Sequence, residues 1–279
     1  MLRTMGWDRD FLARSPMFEP LRAHVETFGP AWPALEDLQG LLDRRDPPAR
    51  TANGMALRLV PQGRRRVALE ERHEARIHLR GELQVRERSW HDLFNLLAWL
   101  AFPRAKAALN LRHYHALEAQ KAAGRANRGP AQDALTLFDE GGVIVASSDG
   151  DLLACLRAWQ WKELFWKKRA RLAGRMRFYL FGHALYEKAL APFIGITGRG
   201  ILLEVEPELL AAPLGEQIEA LDAKVGEHIL DERHLSGTRE LAVVPILGVP
   251  GWHASNNVES FYDNTDYFRV ARSREMRGS

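Results

Sequence analysis

Trp90-His91-Asp92-Leu93-Phe94-Asn95-Leu96-Leu97-Ala98-Trp99-Leu100-Ala101-Phe102-Pro103-Arg104-Ala105-Lys106 is the stretch whose reading decides the fold. Its first twelve residues are apolar at helical spacing, interrupted only by His91, Asp92 and Asn95. Ser89 precedes it and Asp92 follows three residues later. That spacing matches a capping box and predicts a helix starting at Ser89. Pro103 lacks the amide hydrogen a continuing helix needs, so the helix ends or kinks there. A second helix then runs to about Ala123 and presents Lys106, Asn110, His113 and His115. Polar groups this dense in apolar helices are either hydrogen-bonded parts of a core or parts of a site.

Outward from this pair, the first 45 residues read as short helices broken at Pro16, Pro20, Pro30 and Pro33. Residues 46–54 read as a linker, Met55 to Val60 as a weak strand, and Leu69 to Leu79 as a helix stopped at Gly81. Gly124 to Pro130 reads as a loop. The strongest hairpin signal lies at 134–147, where Asp139-Glu140-Gly141-Gly142 separates two β-favouring runs. Ser148-Asp149-Gly150-Asp151 reads as a cap opening a helix through Trp159. Further helices are expected at about Lys162–Arg171, Arg175–Leu190 and Leu214–Leu230, with short strands at Ile201–Val205 and Leu241–Pro245. The resulting fold class is α+β, predominantly helical with a small antiparallel sheet or hairpin. Residues 1–270 are expected to form a single domain, with a disordered tail at 271–279.

The 279 residues suffice for a sizeable core, and 46% hydrophobic with 27% charged residues excludes whole-chain disorder. The formal net charge is only +3, which is no nucleic-acid signature. The single cysteine, Cys155, sits in an apolar helical context and reads as an inert core thiol. Charges interrupt the N-terminus too early for a secretory segment, and Leu93 to Phe102 is too short to span a membrane. These features lead to the expectation of a cytoplasmic protein. No Walker A loop, nucleophile elbow or dinucleotide fingerprint occurs, and Gly195-Ile196-Thr197-Gly198-Arg199-Gly200 has the wrong spacing for the last.

Two helical pairs carry the candidate chemistry. His91 and Asn95 share one helix face, with Asp92 beside them as an orienting carboxylate. His183 and Glu187 stand at i and i+4, so both can converge on one ion or proton, and Gly182 before them allows close backbone approach. These five residues are the catalytic candidates. Each has a plain alternative, since Asp92 serves the cap and i,i+4 pairs are common in ordinary helices. Asp139 and Glu140 gain interest only if they fold over His91 or His183, where they would complete a divalent-metal site. Together with Lys106, Asn110, Trp252, Asn256 and Arg269 they are the ligand-binding candidates. His73 and His78 are i and i+5, on different helix faces, which excludes zincin chemistry. The basic-aromatic run Trp159 to Arg177 could bind phosphates and bases, although an amphipathic helix with solvated charges gives the same pattern.

The motifs Trp90-His91-Asp92-Leu93-Phe94-Asn95, Phe102-Pro103-Arg104-Ala105-Lys106, Leu109-Asn110, Phe138-Asp139-Glu140, Phe181-Gly182-His183-Ala184-Leu185, Pro250-Gly251-Trp252 and Tyr267-Phe268-Arg269 resemble an uncharacterised bacterial family, the domain of unknown function numbered three-zero-two-five. The resemblance spans about residues 7 to 270. It implies one bacterial domain and that these polar motifs meet in space, but it supplies no activity, cofactor or catalytic residue.

The functional expectation is therefore an enzyme of hydrolytic type with a His/carboxylate site, possibly metal-assisted. The alternative is a non-enzymatic protein that binds an anionic ligand, nucleotide or nucleic acid, through residues 159–177. The residues identify no cofactor, metal or partner. A small-molecule ligand is compatible with them, a membrane partner is not, and nucleic acid is disfavoured without being excluded.

Overall fold

The computed structural model describes residues 6–25, 28–63, 73–124 and 128–270. The expected tail at 271–279 and the first residues of the helix expected at Leu69 to Leu79 lie outside the described residues. Two 3-10 helices, Phe11–Ala13 and Pro16–His24, lead into α1 (Leu35–Asp43). There follow β1 (Arg58–Pro61), α2 (His73–Arg80), β2 (Glu82–Val85), α3 (Trp90–Ala101) and α4 (Pro103–Ala122). The middle of the chain holds α5 (Pro130–Gly141), β3 (Gly142–Ser147), α6 (Gly150–Arg157), a π-helical turn at Glu163–Lys167, and α7 (Arg169–Arg175). Then come β4 (Met176–Leu180), α8 (His183–Ala189), β5 (Thr197–Glu204), α9 (Pro207–Ala211), α10 (Leu214–Leu230) and β6 (Ala242–Pro245).

The strands form two sheets. β1 and β2 pair in parallel, while the larger sheet has the order β4-β3-β5-β6. In it β3 runs parallel to β5 and antiparallel to β4, and β5 runs antiparallel to β6. The expected antiparallel sheet is therefore corrected to one parallel and one mixed sheet. Every residue of β3 is buried, as a central strand covered on both faces requires.

The expected hairpin is also corrected. Residues Pro130–Gly141 are a helix that passes into β3 without a loop, so Asp139 and Glu140 lie on its last turn rather than at a tip. Pro130 occupies the first helical turn, where its missing amide hydrogen costs nothing. The expected helix at Arg175–Leu190 is instead β4 followed by α8. Gly182 is consequently the N-cap of α8, not an interior residue. The predicted break at Pro103 stands: Ser89 Oγ accepts the Asp92 amide at 3.2 Å to open α3, which ends at Ala101.

Two devices fix the helices that matter for the site. Asp222, on α10, accepts the amides of Arg104 and Ala105 at 3.0 and 2.8 Å and so caps α4 from outside its own chain segment. Gly226, one turn further on, lets the backbone of Arg104 come close, since a β-carbon there would meet it at 3.3 Å. Phe11 and Phe18, both fully buried, pack on Phe94 of α3, with Tyr186 of α8 stacked on the same ring at 5.6 Å. The C-terminal segment is held by Asn256, whose amide donates to the carbonyls of Leu247 and Val249. Tyr267 Oη accepts from the Leu247 amide and donates to the Ile196 carbonyl. Among the described residues no helix is long and apolar enough to cross a membrane.

Candidate functional site

Four helices bring their polar residues together: α3 supplies His91 and Asn95, α4 Lys106, α5 Asp139, and α8 His183 and Glu187. The two imidazoles meet directly. His91 Nε2 lies 3.1 Å from His183 Nε2, with the rings edge to face at 4.5 Å between centroids. His91 Nδ1 faces Glu187 Oε2 at 3.3 Å, on the solvent side, with both side chains more than a third exposed or close to it. On the inner side, His183 Nδ1 faces Asp139 Oδ2 at 3.7 Å. Asp139 Oδ1 accepts from Lys106 Nζ at 2.5 Å, and Lys106 also donates to Asn95 Oδ1 at 2.8 Å. Lys106 Nζ additionally stands 5.7 Å from the centre of the Trp99 ring. The result is a chain of six groups, Glu187–His91–His183–Asp139–Lys106–Asn95, running from surface to interior.

Gly182 makes this possible. Its amide donates to the Gly142 carbonyl at 3.0 Å. A β-carbon on it would stand 2.4 Å from both the Glu140 carbonyl oxygen and the Gly142 nitrogen. Only glycine lets the start of α8 press against the end of α5, which places His183 beside Asp139.

Burial sets the charges along the chain. It lowers His183 to about 3, with Lys106 and His91 acting in the same direction and Asp139 opposing, so His183 is neutral at pH 7. Burial alone would push the Asp139 carboxyl up. Lys106, helped by His183 and His113, outweighs this and holds it well below the usual carboxylate range. The Lys106–Asp139 pair is thus a buried ion pair, hydrogen-bonded at both ends as such pairs must be. Behind it Asn95, Lys106, Asn110, His113 and Asp139 line a cavity of about 10 Å³, room for a single water. Asn110 donates to the carbonyl and carboxylate of Glu74, both at 2.9 Å, while its own oxygen is buried without a partner among the described residues.

The remaining sequence candidates lie elsewhere. Both carboxylate oxygens of Asp92 are taken by Arg86, at 2.8 Å each, and Asp92 also accepts the Arg86 amide. Burial raises the Asp92 carboxyl, but Arg86 outweighs it and holds the group low. The carboxylate touching His91 is Glu187, not Asp92. Glu140 is exposed. Asn256 is fully buried and occupied with backbone carbonyls, and Trp252 packs edge-on against Phe178. Arg269 lines a separate cleft beside β6. Sequence reasoning missed Arg86 and Glu74 as partners, and it left His113 out of the candidates although that residue lies i+7 from Lys106 on one helix face.

The metal-centre expectation does not assemble. The two Nε2 atoms point at each other instead of at a common centre, and Asp139 is tied to Lys106. Among the described residues no group of three or more His, Cys, Asp or Glu could hold a metal ion. Most cations of the basic run 159–177 are likewise paired: Lys162 with Glu259 and Asp263, Lys167 and Lys168 with Glu163, and Arg171 with Asp149 and Asp151. Arg169 donates to the Asn256 carbonyl at 2.7 Å.

A fold in which four helices converge on a His–His–Asp–Lys chain running from the surface inward agrees with the motif pattern of the family. The chain belongs to the family described as Protein of unknown function (DUF3025), which matches residues 57–272. Neither curated proteins nor solved structures give a match.

Proposed function

We propose that this protein is an enzyme of hydrolytic type, in which His91 exchanges protons with water and substrate and the groups behind it hold it ready. The observation that carries this reading is the Nε2–Nε2 contact of His91 and His183, with Asp139 standing behind His183.

Neutral His183 has one N–H. Among the described residues its Nδ1 makes no hydrogen bond, the Asp139 carboxylate standing 3.7 Å away; an N–H turned toward that charge leaves the Nε2 lone pair facing His91, which then donates from its own Nε2. A carboxylate only accepts, so while Glu187 faces His91 Nδ1 that nitrogen is the donor. Glu187 is 41% exposed and free to give way to substrate. Once it is displaced, a His91 that donates from Nε2 to His183 presents Nδ1 at the surface as the working, proton-accepting atom. Among the described residues no hydroxyl or thiol hydrogen-bonds either imidazole. Water is then the nucleophile at hand, which favours hydrolysis over acyl or phosphoryl transfer through the protein. Asp139 and Lys106 act as positioning residues, Lys106 keeping the carboxylate ionised in an apolar surround.

Diethyl pyrocarbonate, which acylates unprotonated imidazole, tests the coupling. His91 is expected to label quickly in the parent protein and several-fold more slowly or faster in Asp139→Asn, where the tautomer is released. Identical labelling of His91 in two equally folded proteins would refute the reading. On a panel of chromogenic esters, His91→Ala and His183→Gln are expected to lose about 10²–10⁴-fold of any turnover the parent shows.

The paired cations of 159–177 give the anionic-ligand alternative no support at that segment.

A further inference from the structure

A cleft of about 940 Å³ runs along the edge strand β6 and shares no residue with the His91–Asp139 chain. That volume suits a small-molecule ligand. Arginines reach it from four separate places: Arg157 from the end of α6, Arg199 from β5, Arg239 from the turn before β6, and Arg269 from the C-terminal segment. Among the described residues, Arg157, Arg199 and Arg239 pair with no carboxylate. Two acids line the same cleft. Glu240 is directed away, accepting the amides of Leu235 and Ser236 at 2.7 and 2.8 Å, and Asp266 alone remains. Unpaired guanidinium groups repel each other, so gathering them around one concavity favours an anion that is absent from the chain itself. Their planar forks match phosphate oxygens best.

The aromatic wall of the cleft adds a second feature. Trp161 is buried, and its indole N–H donates to the Arg269 carbonyl at 2.7 Å. Trp159 is half-buried, stacked on Trp161 at 6.0 Å, and has a φ of 58°. It follows α6 in the left-handed position where a helix end ordinarily takes glycine. A tryptophan held there puts a ring face at the cleft in a conformation its backbone disfavours.

We infer that this cleft is a binding site for a nucleoside polyphosphate, its phosphates held by Arg157, Arg199, Arg239 and Arg269 and its base against Trp159. The site is independent of the hydrolytic reading, since its test needs no turnover.

Titration with adenosine triphosphate and with inorganic tripolyphosphate, followed by calorimetry and tryptophan fluorescence, decides the matter. Adenosine triphosphate should bind and quench, and Arg199→Gln combined with Arg239→Gln should weaken it at least tenfold and flatten its salt dependence. Arg233→Gln, which lies outside the cleft and pairs with Asp231, should change nothing. Trp159→Gly relieves the backbone, so it should melt no lower than the parent while abolishing the preference for nucleotide over tripolyphosphate. Absence of binding by both anions would overturn the inference. So would binding that survives the double arginine variant.

Discussion

Gly182 stands so close to the carbonyl of Glu140 that a single added methyl group would lie 2.4 Å from that oxygen. The obstacle is backbone on both sides, at the junction where α5 becomes β3, so it cannot swing aside. Gly182→Ala is therefore expected to destabilise the protein by about 2 kcal/mol or more, by forcing α8 off α5. Urea unfolding measures this. The same substitution should separate His183 from Asp139 and bring His91 labelling to the Asp139→Asn level.

The Lys106–Asp139 pair predicts strong non-additivity. Lys106→Met leaves a buried carboxylate without its cation and should cost about 3–5 kcal/mol. Lys106→Met with Asp139→Leu removes both charges, and should recover a large part of that loss. A double-mutant cycle by denaturant midpoint reads the coupling. Equal, additive losses would show that the pair does not act as a unit.

Acid should weaken the fold through His183. Its folded value, about 3, lies below its ordinary 6.5, so the unfolded chain takes up the proton first. Its stabilising effect is present above pH 6.5 and is lost as pH falls from there toward 3. One pK unit is about 1.4 kcal/mol, so half of that shift alone amounts to ~2 kcal/mol. His24, lowered by burial to about 4, acts in the same sense. The stability–pH curve of His183→Gln should be visibly flatter between pH 6.5 and 4 than that of the parent.

Asp222 has the opposite sign. Burial raises its carboxyl to about 6 despite the two amides it accepts. Its contribution is fullest below pH 3.8 and falls as pH rises through 6. Asp222→Asn keeps an acceptor for the α4 cap and should gain stability at pH 8 relative to pH 5, compared with the parent. Asp222→Ala, with no acceptor, should lose about 1–2 kcal/mol at either pH. Because this contact ties α10 to α4, we expect residues 1–270 to melt as one cooperative unit in calorimetry, with no separate transition for either helix.

What the sequence disclosed depended on whether one rule acted alone. Ser89 and Pro103 are strong local signals, and α3 and α4 begin and end where they demand. The helix expected at Leu214–Leu230 matches α10 residue for residue, because its apolar spacing is long and uninterrupted. Residues 134–138 fail this test. Ala-Leu-Thr-Leu-Phe is short and apolar, so its period fits helix and strand alike, and two glycines after Glu140 imitate a turn. The signal that would have decided it was Pro130, at the start of a helix. Met176 to Leu180 was hidden in the same way, since its burial does not alternate cleanly. At the site, sequence spacing paired His183 with Glu187 on one helix but could not show that Glu187 turns to His91, 96 residues away. The buried Lys106–Asp139 contact spans 33 residues and depends on α5 being a helix, the point misread.

The packing of Phe11 and Phe18 on Phe94 bears on how much chain is needed. The family match opens at residue 57, yet these two rings from the first twenty residues fill the far side of the helix that carries His91. A fragment cut to 57–272 would leave α3 with a hole where two phenyl groups belong, and its imidazole on a helix free to shift. The matched part of the protein, about three quarters of its length, is thus not expected to be self-sufficient. Any shortened version made for crystallisation or screening should retain the leading aromatic residues, or supply them as a separate peptide.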